Sequence, residues 1–204
     1  MTNEEKMLAG KIYNSGDFNL QKKLTRAHRL CKIYNDTFDD ETQRRQEIVD
    51  QLLPEHGENI FLQGPIFFDY GCNTKIGTNF YANFNLTVLD TCPVVIGDNE
   101  FFGPNVTLAT PLHGLLAQDR NTQVIDGQKT TFEYGKPLTI EDNCWLASNV
   151  VVNGGVTIGA GSVIGSGSVV TRDIPAGVLA VGNPCRVVRK LTATDQIKLK
   201  KELW

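Results

Sequence analysis

A chain of 204 residues with 20 Lys and Arg against 23 Asp and Glu, a formal charge of −3, has room for one substantial core and a small appendage. It offers no basic footprint for nucleic acid or an acidic membrane surface. The start, Met1-Thr-Asn-Glu-Glu-Lys-Met-Leu8, lacks the basic-then-apolar order of a signal peptide, and no later run is long and apolar enough to span a bilayer, so a cytoplasmic protein with a small-molecule partner is expected.

Residues 1–56 are rich in Lys, Arg, Glu, Gln and Leu and read as a small helical domain. Thr2 and Glu5 make a capping box, and the apolar spacing predicts helices over residues 2–14, 19–35 and 40–53. In the second, Leu20, Leu24, Ala27, Leu30, Cys31 and Tyr34 share one face and Lys22, Lys23, Arg26 and Arg29 the other. Asp39 or Asp40 is placed to cap the third, and Pro54 stops it.

From residue 57 to 190 the composition turns to Gly, Asn, Val, Ile and Thr, and a six-residue repeat sets in. From Ile140 it runs unbroken, with first positions Ile140, Leu146, Val152, Ile158, Ile164 and Val170. An earlier stretch in the same pattern carries Ile76-Gly77, Ala82, Ile96-Gly97, Phe102-Gly103 and Leu108-Ala109. Neither a 3.6-residue helix nor a two-sided strand returns an aliphatic side chain to one side every sixth residue. A short strand followed by a tight corner does, and three such units close a triangular coil of about eighteen residues. The predicted fold is therefore mainly β, a left-handed parallel β-helix. Gly or Asn follows the aliphatic position because the corner needs positive φ. A Gly-rich β-sandwich would alternate at period two instead.

The register breaks over residues 110–137, where an inserted loop carries His113, the one histidine outside the helical region. Long excursions from a rigid scaffold are where function concentrates. Residues 191–204 resume a helix-like composition and are expected to cap the open end of the prism. The five cysteines, Cys31, Cys72, Cys92, Cys144 and Cys185, are scattered and form no C-x-x-C pair, which reads as reduced thiols and no metal site. A zinc hydrolyase on such a prism would need three histidines from the coils, and only His113 lies in that region.

These residues resemble the hexapeptide-repeat sugar O-acetyltransferases, particularly the maltose and galactoside enzymes. The resemblance runs through Lys6-Met-Leu-Ala-Gly-Lys-Ile-Tyr13, Asp69-Tyr70-Gly71, Phe80-Tyr-Ala-Asn-Phe-Asn85, Leu89-Asp90 with Cys92-Pro93, Ile96-Gly-Asp-Asn99 and Gly135-Lys-Pro137. It continues through Val156-Thr-Ile-Gly159, Ser168-Val-Val-Thr-Arg-Asp-Ile-Pro175 and Gly182-Asn-Pro-Cys-Arg186. It implies transfer of an acetyl group from acetyl-CoA to a sugar hydroxyl, in homotrimers whose sites lie between neighbouring prisms.

By motif position the resemblance implies His113 as general base; an imidazole with pKa about 6.5 can take the hydroxyl proton near neutral pH. It implies Asp17, Asp69, Asn83, Asp90 and Glu133 around the acceptor, Glu133 having the alternative duty of orienting His113. For coenzyme A it implies Ser148, Ser166, Thr171, Arg172, Arg186 and Arg189, with the arginines meeting the phosphates, while Trp145, at an outward-facing position of the repeat, is placed either to flank the pantetheine or to pack in the trimer interface. Each acidic candidate also has a structural role open to it, as a helix cap for Asp17 and a turn anchor for Asp69 or Asp90. One departure stands out. The family places proline after its histidine, whereas here the run is Thr110-Pro-Leu-His-Gly114 at the head of a longer loop. This leaves open a non-sugar acceptor such as an antibiotic, an amino sugar or serine, and beyond it a scaffold that binds coenzyme A without turnover.

Overall fold

The computed structural model describes residues 1–125 and 127–203. Three parallel sheets form the faces of a β-helix. Face one stacks Glu55–His56, Thr74–Ile76, Val94–Ile96, Leu138–Ile140 and Thr157–Ile158. Face two stacks Ile60–Leu62, Phe80–Ala82, Phe101–Phe102, Trp145–Leu146, Val163–Ile164 and Val178–Val181. Face three stacks Ile66–Phe68, Leu86–Leu89, Thr107–Ala109, Val151–Asn153 and Val169–Val170. Side chains alternate in and out along such short strands, so the repeat's aliphatic positions, Ile76, Ile96, Ile140 and Ile158 among them, fill the interior and are buried.

The corners take positive φ three residues after the aliphatic position, not directly after it as expected; Gly77 and Gly97, which do follow it, are required by close approach instead, since a Cβ there would run into Asp98 Oδ1 or Asp142 Oδ1 of the next coil. Asn59, Asn79, Asn99 and Asn143 all have φ between 57° and 63°, a region where most side chains are penalised but Asn is tolerated. Their amides hydrogen-bond up the prism at 2.9, 2.9 and 3.3 Å. A second column, Asn85, Asn105 and Asn149, does the same at 2.9 and 3.0 Å. Above them Gly161 and Gly167 take over the positive φ.

The coil length is not uniform. Later coils repeat every eighteen residues, as Trp145 pairs with Val163 and Val151 with Val169, until the last, which repeats after sixteen, Val163 pairing with Leu179. Earlier ones repeat every twenty, as Phe61 pairs with Tyr81 and Tyr81 with Phe101. The two extra residues sit at the corner between faces three and one, where Phe68 leads to Ile76 and Val88 to Ile96, eight positions instead of six. In the next coil the excursion leaves from this same corner, between Leu108 and Ile140.

At the N-terminal end, helix α1 spans Asn3–Leu8, with the Thr2–Glu5 capping box in place. It is shorter than the 2–14 expected, because Gly10 turns the chain at φ 68°, and Tyr13–Asn14 then pair as a strand. Helices α2, Phe18–Asn35, and α3, Thr42–Leu52, cover the first coil. Tyr34 Oη donates to Leu62 O at 2.6 Å, and the Asn35 amide bonds Ile66 through both its atoms. Glu41, not Asp39 or Asp40, precedes α3; Asp39 instead pairs with Arg45 at 2.8 Å.

At the C-terminal end the last strand of face two is covered by Arg186–Lys190, running antiparallel to Val178–Val181. The helix-like tail beyond it forms three short 3-10 turns, Ala193–Asp195, Ile197–Leu199 and Lys201–Leu203. Among the described residues no helix is long and apolar enough to cross a membrane.

Candidate active site

The excursion is built rather than irregular. Phe132–Gly135 pairs antiparallel with Pro111–Leu112 on one side and with Tyr13–Asn14 on the other. A short helix α4, Ala117–Arg120, and a hairpin of Gln123–Ile125 with Gln128–Thr130 fill the rest. Its root is pinned by the buried Thr110, whose Oγ1 donates to Leu89 O and accepts from Cys92 N, both at 2.8 Å. Gly135 passes so close to this root that a Cβ would stand 2.6 Å from Cys92 Sγ. A larger residue there would push the whole strand away from the prism.

The ladder pairs Pro111 with Gly135 and Leu112 with Tyr134. His113, which is exposed, follows directly after the strand that ends at Leu112. On the other side of the ladder's middle strand, Tyr13 Oη donates to Glu133 Oε2 at 2.9 Å. Tyr13 is buried against Met7, Leu20 and Tyr70, and burial together with the nearby Glu133 carboxylate pushes its phenol well above the usual range, so it stays a donor. The sequence passes over Tyr13 as a motif's last letter and over Tyr70 as a neighbour of Asp69. At Gly114, the residue after His113, lies a cavity of about 310 Å³. Gly114, Asp119, Gln123, Phe132, Glu133 and Tyr134 line it, together with Ile12 from the helical domain.

The widened corner beneath holds two carboxylates in different states. Asp90 is fully buried: Oδ1 accepts from Tyr70 N at 2.7 Å, and Oδ2 accepts from Thr74 Oγ1 at 2.9 Å and Asn73 N at 3.2 Å. It has no surface to offer an acceptor and serves as the frame of the corner, correcting its expected contact role. Asp69 reaches the surface and faces His28 Nε2 at 3.8 Å. Burial, then the neighbouring Asp90, pushes it up to about 6, while His28 opposes the rise. Asp17 caps α2. Its Oδ1 accepts from Asn19 N and Leu20 N and its Oδ2 from the Asn3 amide at 3.0 Å, bonds that lower its pKa and leave Oδ2 able to accept a further donor.

Asn83 lies elsewhere, at the corner between faces two and three, where its Nδ2 donates to Tyr81 Oη at 3.3 Å. Tyr81 stacks between Phe61 and Phe101 on the outside of face two, with centroids 5.5 and 4.6 Å away. Trp145 follows Phe101 in the same row, half exposed. Ser148 and Ser166 stand one above the other at this corner, Gly167 N donating to Ser148 O. Thr171 and Arg172 are exposed at the opposite, widened corner, just after Val170. Arg186 and Arg189 lie on the covering strand. Arg189 pairs as a fork with Asp195, at 2.7 and 2.8 Å. The structure thus gathers His113, Glu133 and Asp69 on the widened corner, and separates them from Asn83, Ser148, Ser166 and Trp145. Among the described residues no group of three or more His, Cys, Asp or Glu is arranged to hold a metal ion.

Comparison with known proteins agrees with this architecture. The maltose acetyltransferase hexapeptide capping motif matches residues 6–57, and the bacterial transferase hexapeptide (six repeats) matches residues 137–172. The galactoside O-acetyltransferase of Escherichia coli (strain K12) is 41% identical over 192 residues, covering 94% of this chain and 91% of the relative. A maltose O-acetyltransferase structure from Clostridium difficile 630 superposes with a TM-score of 0.88 at 43% identity, covering 94% of this chain and 98% of that one. A galactoside acetyltransferase in complex with coenzyme A superposes with a TM-score of 0.87 at 40% identity, covering 96% and 94%.

Proposed function

This chain belongs to the hexapeptide-repeat sugar O-acetyltransferase family, and we propose that it moves the acetyl group of acetyl-CoA directly onto a hydroxyl of a sugar acceptor, with His113 as general base. The observation that supports the reading is the three-stranded ladder whose Pro111–Leu112 strand ends one residue before His113, with Glu133 on its middle strand bonded to Tyr13 and lining, with Gly114, a cavity of small-ligand size.

In this reading the His113 imidazole accepts the acceptor's hydroxyl proton as the oxygen forms its bond to the thioester carbonyl carbon. The tetrahedral oxyanion collapses, the C–S bond breaks, and the coenzyme thiolate takes the proton back from His113. Glu133 orients the ring and steadies the imidazolium, in the way a carboxylate holds a catalytic histidine elsewhere, and Tyr13 holds Glu133. Asn83 and the backbone around Ser148 meet the thioester end, where donors aimed at the developing oxyanion are most effective. Arg172 and Arg186 meet the phosphates of the nucleotide end.

The proposed contacts divide between two corners of one prism. Asn83, Ser148 and Ser166 stand at one edge of face three and His113, Asp69, Thr171 and Arg172 at the other. A strand of three or four residues separates them, about 10–13 Å, well beyond hydrogen-bond reach. One acceptor and one coenzyme touching both sets therefore fit between the widened corner of one copy and the narrow corner of its neighbour. This division supports a homotrimer with sites between subunits. The exposed aromatic row of Phe61, Phe101 and Trp145 provides an apolar face for such an assembly.

Steady-state release of coenzyme thiol with a panel of sugars tests the reading. His113→Ala is expected to lower kcat by about 10²–10⁴-fold while acetyl-CoA still stabilises the fold; unchanged turnover refutes the base assignment. Sedimentation giving a monomer refutes the shared site.

A further inference from the structure

Asp69 follows the strand Ile66–Phe68, and its N–H donates to Val88 O at 3.1 Å, which fixes it at the widened corner. Groups from three different segments act on its carboxyl: Asp90 from the corner itself, Glu133 from the excursion and His28 from α2. Burial and the two carboxylates favour its protonated form. His28 opposes them, with Nε2 3.8 Å from Asp69 Oδ1. The balance leaves Asp69 pushed up to about 6, so it is protonated below that pH and ionised above it. Asp90 differs, because donors of its own corner meet both its oxygens.

The rest of α2 facing this corner is committed elsewhere. Lys32, one turn on from His28, pairs with Asp36 at 2.9 Å. The Cys31 thiol is pushed up to about 11 by burial and stays neutral, and the Asn35 amide bonds Ile66 through both its atoms. Tyr70, next in the chain, has a phenol raised well above the usual range by burial and by Asp69 itself, and is neutral too. With Lys32 engaged, His28 is the group that α2 turns toward Asp69. It lines the groove between α2 and face three, whereas Glu133 lines the separate cavity at Gly114, so an effect of His28 on the reaction runs through Asp69.

A carboxylate accepts at both oxygens, and its charge-assisted bonds to hydroxyls are about twice as strong as neutral ones. Once protonated it holds a donor in place of one acceptor and loses that advantage. An opposite charge within about 4–6 Å lowers a carboxyl's proton affinity about tenfold or more, enough at this site to decide which form meets a hydroxyl near neutral pH. Resting on the reading that Asp69 contacts the acceptor, we propose that His28 is a positioning residue, which from the helical domain holds the Asp69 carboxylate ready to accept from the acceptor's hydroxyls. The helical domain thereby sets acceptor affinity as well as covering the first coil.

The experiment measures acceptor KM and kcat between about pH 5 and pH 8 at saturating acetyl-CoA, with whichever of glucose, maltose, methyl β-galactoside and lactose the wild type acetylates. The full-length proteins are wild type, His28→Gln, His28→Arg, Asp69→Asn and the double variant His28→Gln with Asp69→Asn. Loss of the imidazole is expected to move the rise of 1/KM from about pH 6 to about pH 7. Acceptor KM in His28→Gln is then about fivefold above wild type at pH 6 and within about twofold of it at pH 8, with kcat, which follows His113, and the acetyl-CoA KM unchanged. His28→Arg, which keeps a cation, is expected to restore the wild-type profile. In the Asp69→Asn background, His28→Gln is expected to add nothing. An unchanged acceptor KM in His28→Gln, an equal loss at every pH, or a loss that persists without the Asp69 carboxylate refutes the positioning role while leaving sugar transfer standing. Asp69→Asn with wild-type acceptor KM at pH 8 refutes Asp69 as an acceptor contact, and the role of His28 with it. Absence of His113-dependent transfer to any of the four sugars refutes the parent reading, and this role with it.

Discussion

Glu100 sits inside the prism, 1% exposed, at the repeat position that Cys144, Val150, Val156, Ser162 and Ser168 occupy in the later coils. Its Oε1 accepts from Cys144 N at 2.9 Å, and its Oε2 is buried with no partner among the described residues. Burial, with Asp142 adding, pushes the carboxyl from 4.5 up to about 8, against the opposing bond from Cys144 N. In the native protein Glu100 is therefore neutral at pH 7, whereas in the unfolded chain it is ionised. As pH rises above 4.5 the unfolded state gives up this proton and the folded state keeps it until about 8, so the stability present at low pH is progressively lost across that window. At about 1.36 kcal/mol for each pH unit crossed, the loss between pH 5 and pH 8 is about 3–4 kcal/mol. Glu100→Gln keeps the acceptor for Cys144 N and removes the titration. In urea unfolding at fixed protein concentration, the variant is expected to lie within about 1 kcal/mol of wild type at pH 5 and to exceed it by about 3–4 kcal/mol at pH 8. Parallel stability profiles for the two proteins from pH 5 to 8, or a variant weaker at pH 8, would refute the assignment of a buried neutral carboxyl.

Asp90→Ala strands the Tyr70 and Asn73 amides and the Thr74 hydroxyl, and is expected to cost about 3–5 kcal/mol in denaturant unfolding; a cost below about 1 kcal/mol would show that the widened corner does not depend on it. For the corner ladder, Asn99→Gly keeps the positive φ and loses only the amide bonds, whereas Asn99→Ala also incurs the left-handed penalty of about 1–2 kcal/mol. Thermal unfolding should rank wild type above the Gly variant and the Gly variant above the Ala variant; an inverted order would mean that the side-chain ladder outweighs backbone conformation.

The prism was legible because its rule is local and repeated. Ile140, Leu146, Val152, Ile158, Ile164 and Val170 return inward every sixth residue, whereas the positive φ of the Asn and Gly corners falls three residues after the inward position rather than directly after it. The same local logic identified the Thr2–Glu5 cap and the buried face of α2. It did not carry to the end of α1, where one glycine ends the helix early, or to the twenty-residue coils, because two extra residues at a corner do not disturb the inward positions on either side.

The widened corner marks the boundary between what the chain's order could determine and what it could not. His113 was singled out by a break in the repeat and by the motifs around it. That Tyr13 reaches Glu133 across 120 positions of sequence, that Asp90 is buried with both oxygens bonded, and that Arg189 pairs with Asp195 are matters of which donors meet which acceptors in space. A carboxylate's residue type and spacing state what it can bond; only packing decides whether a backbone amide has reached it first.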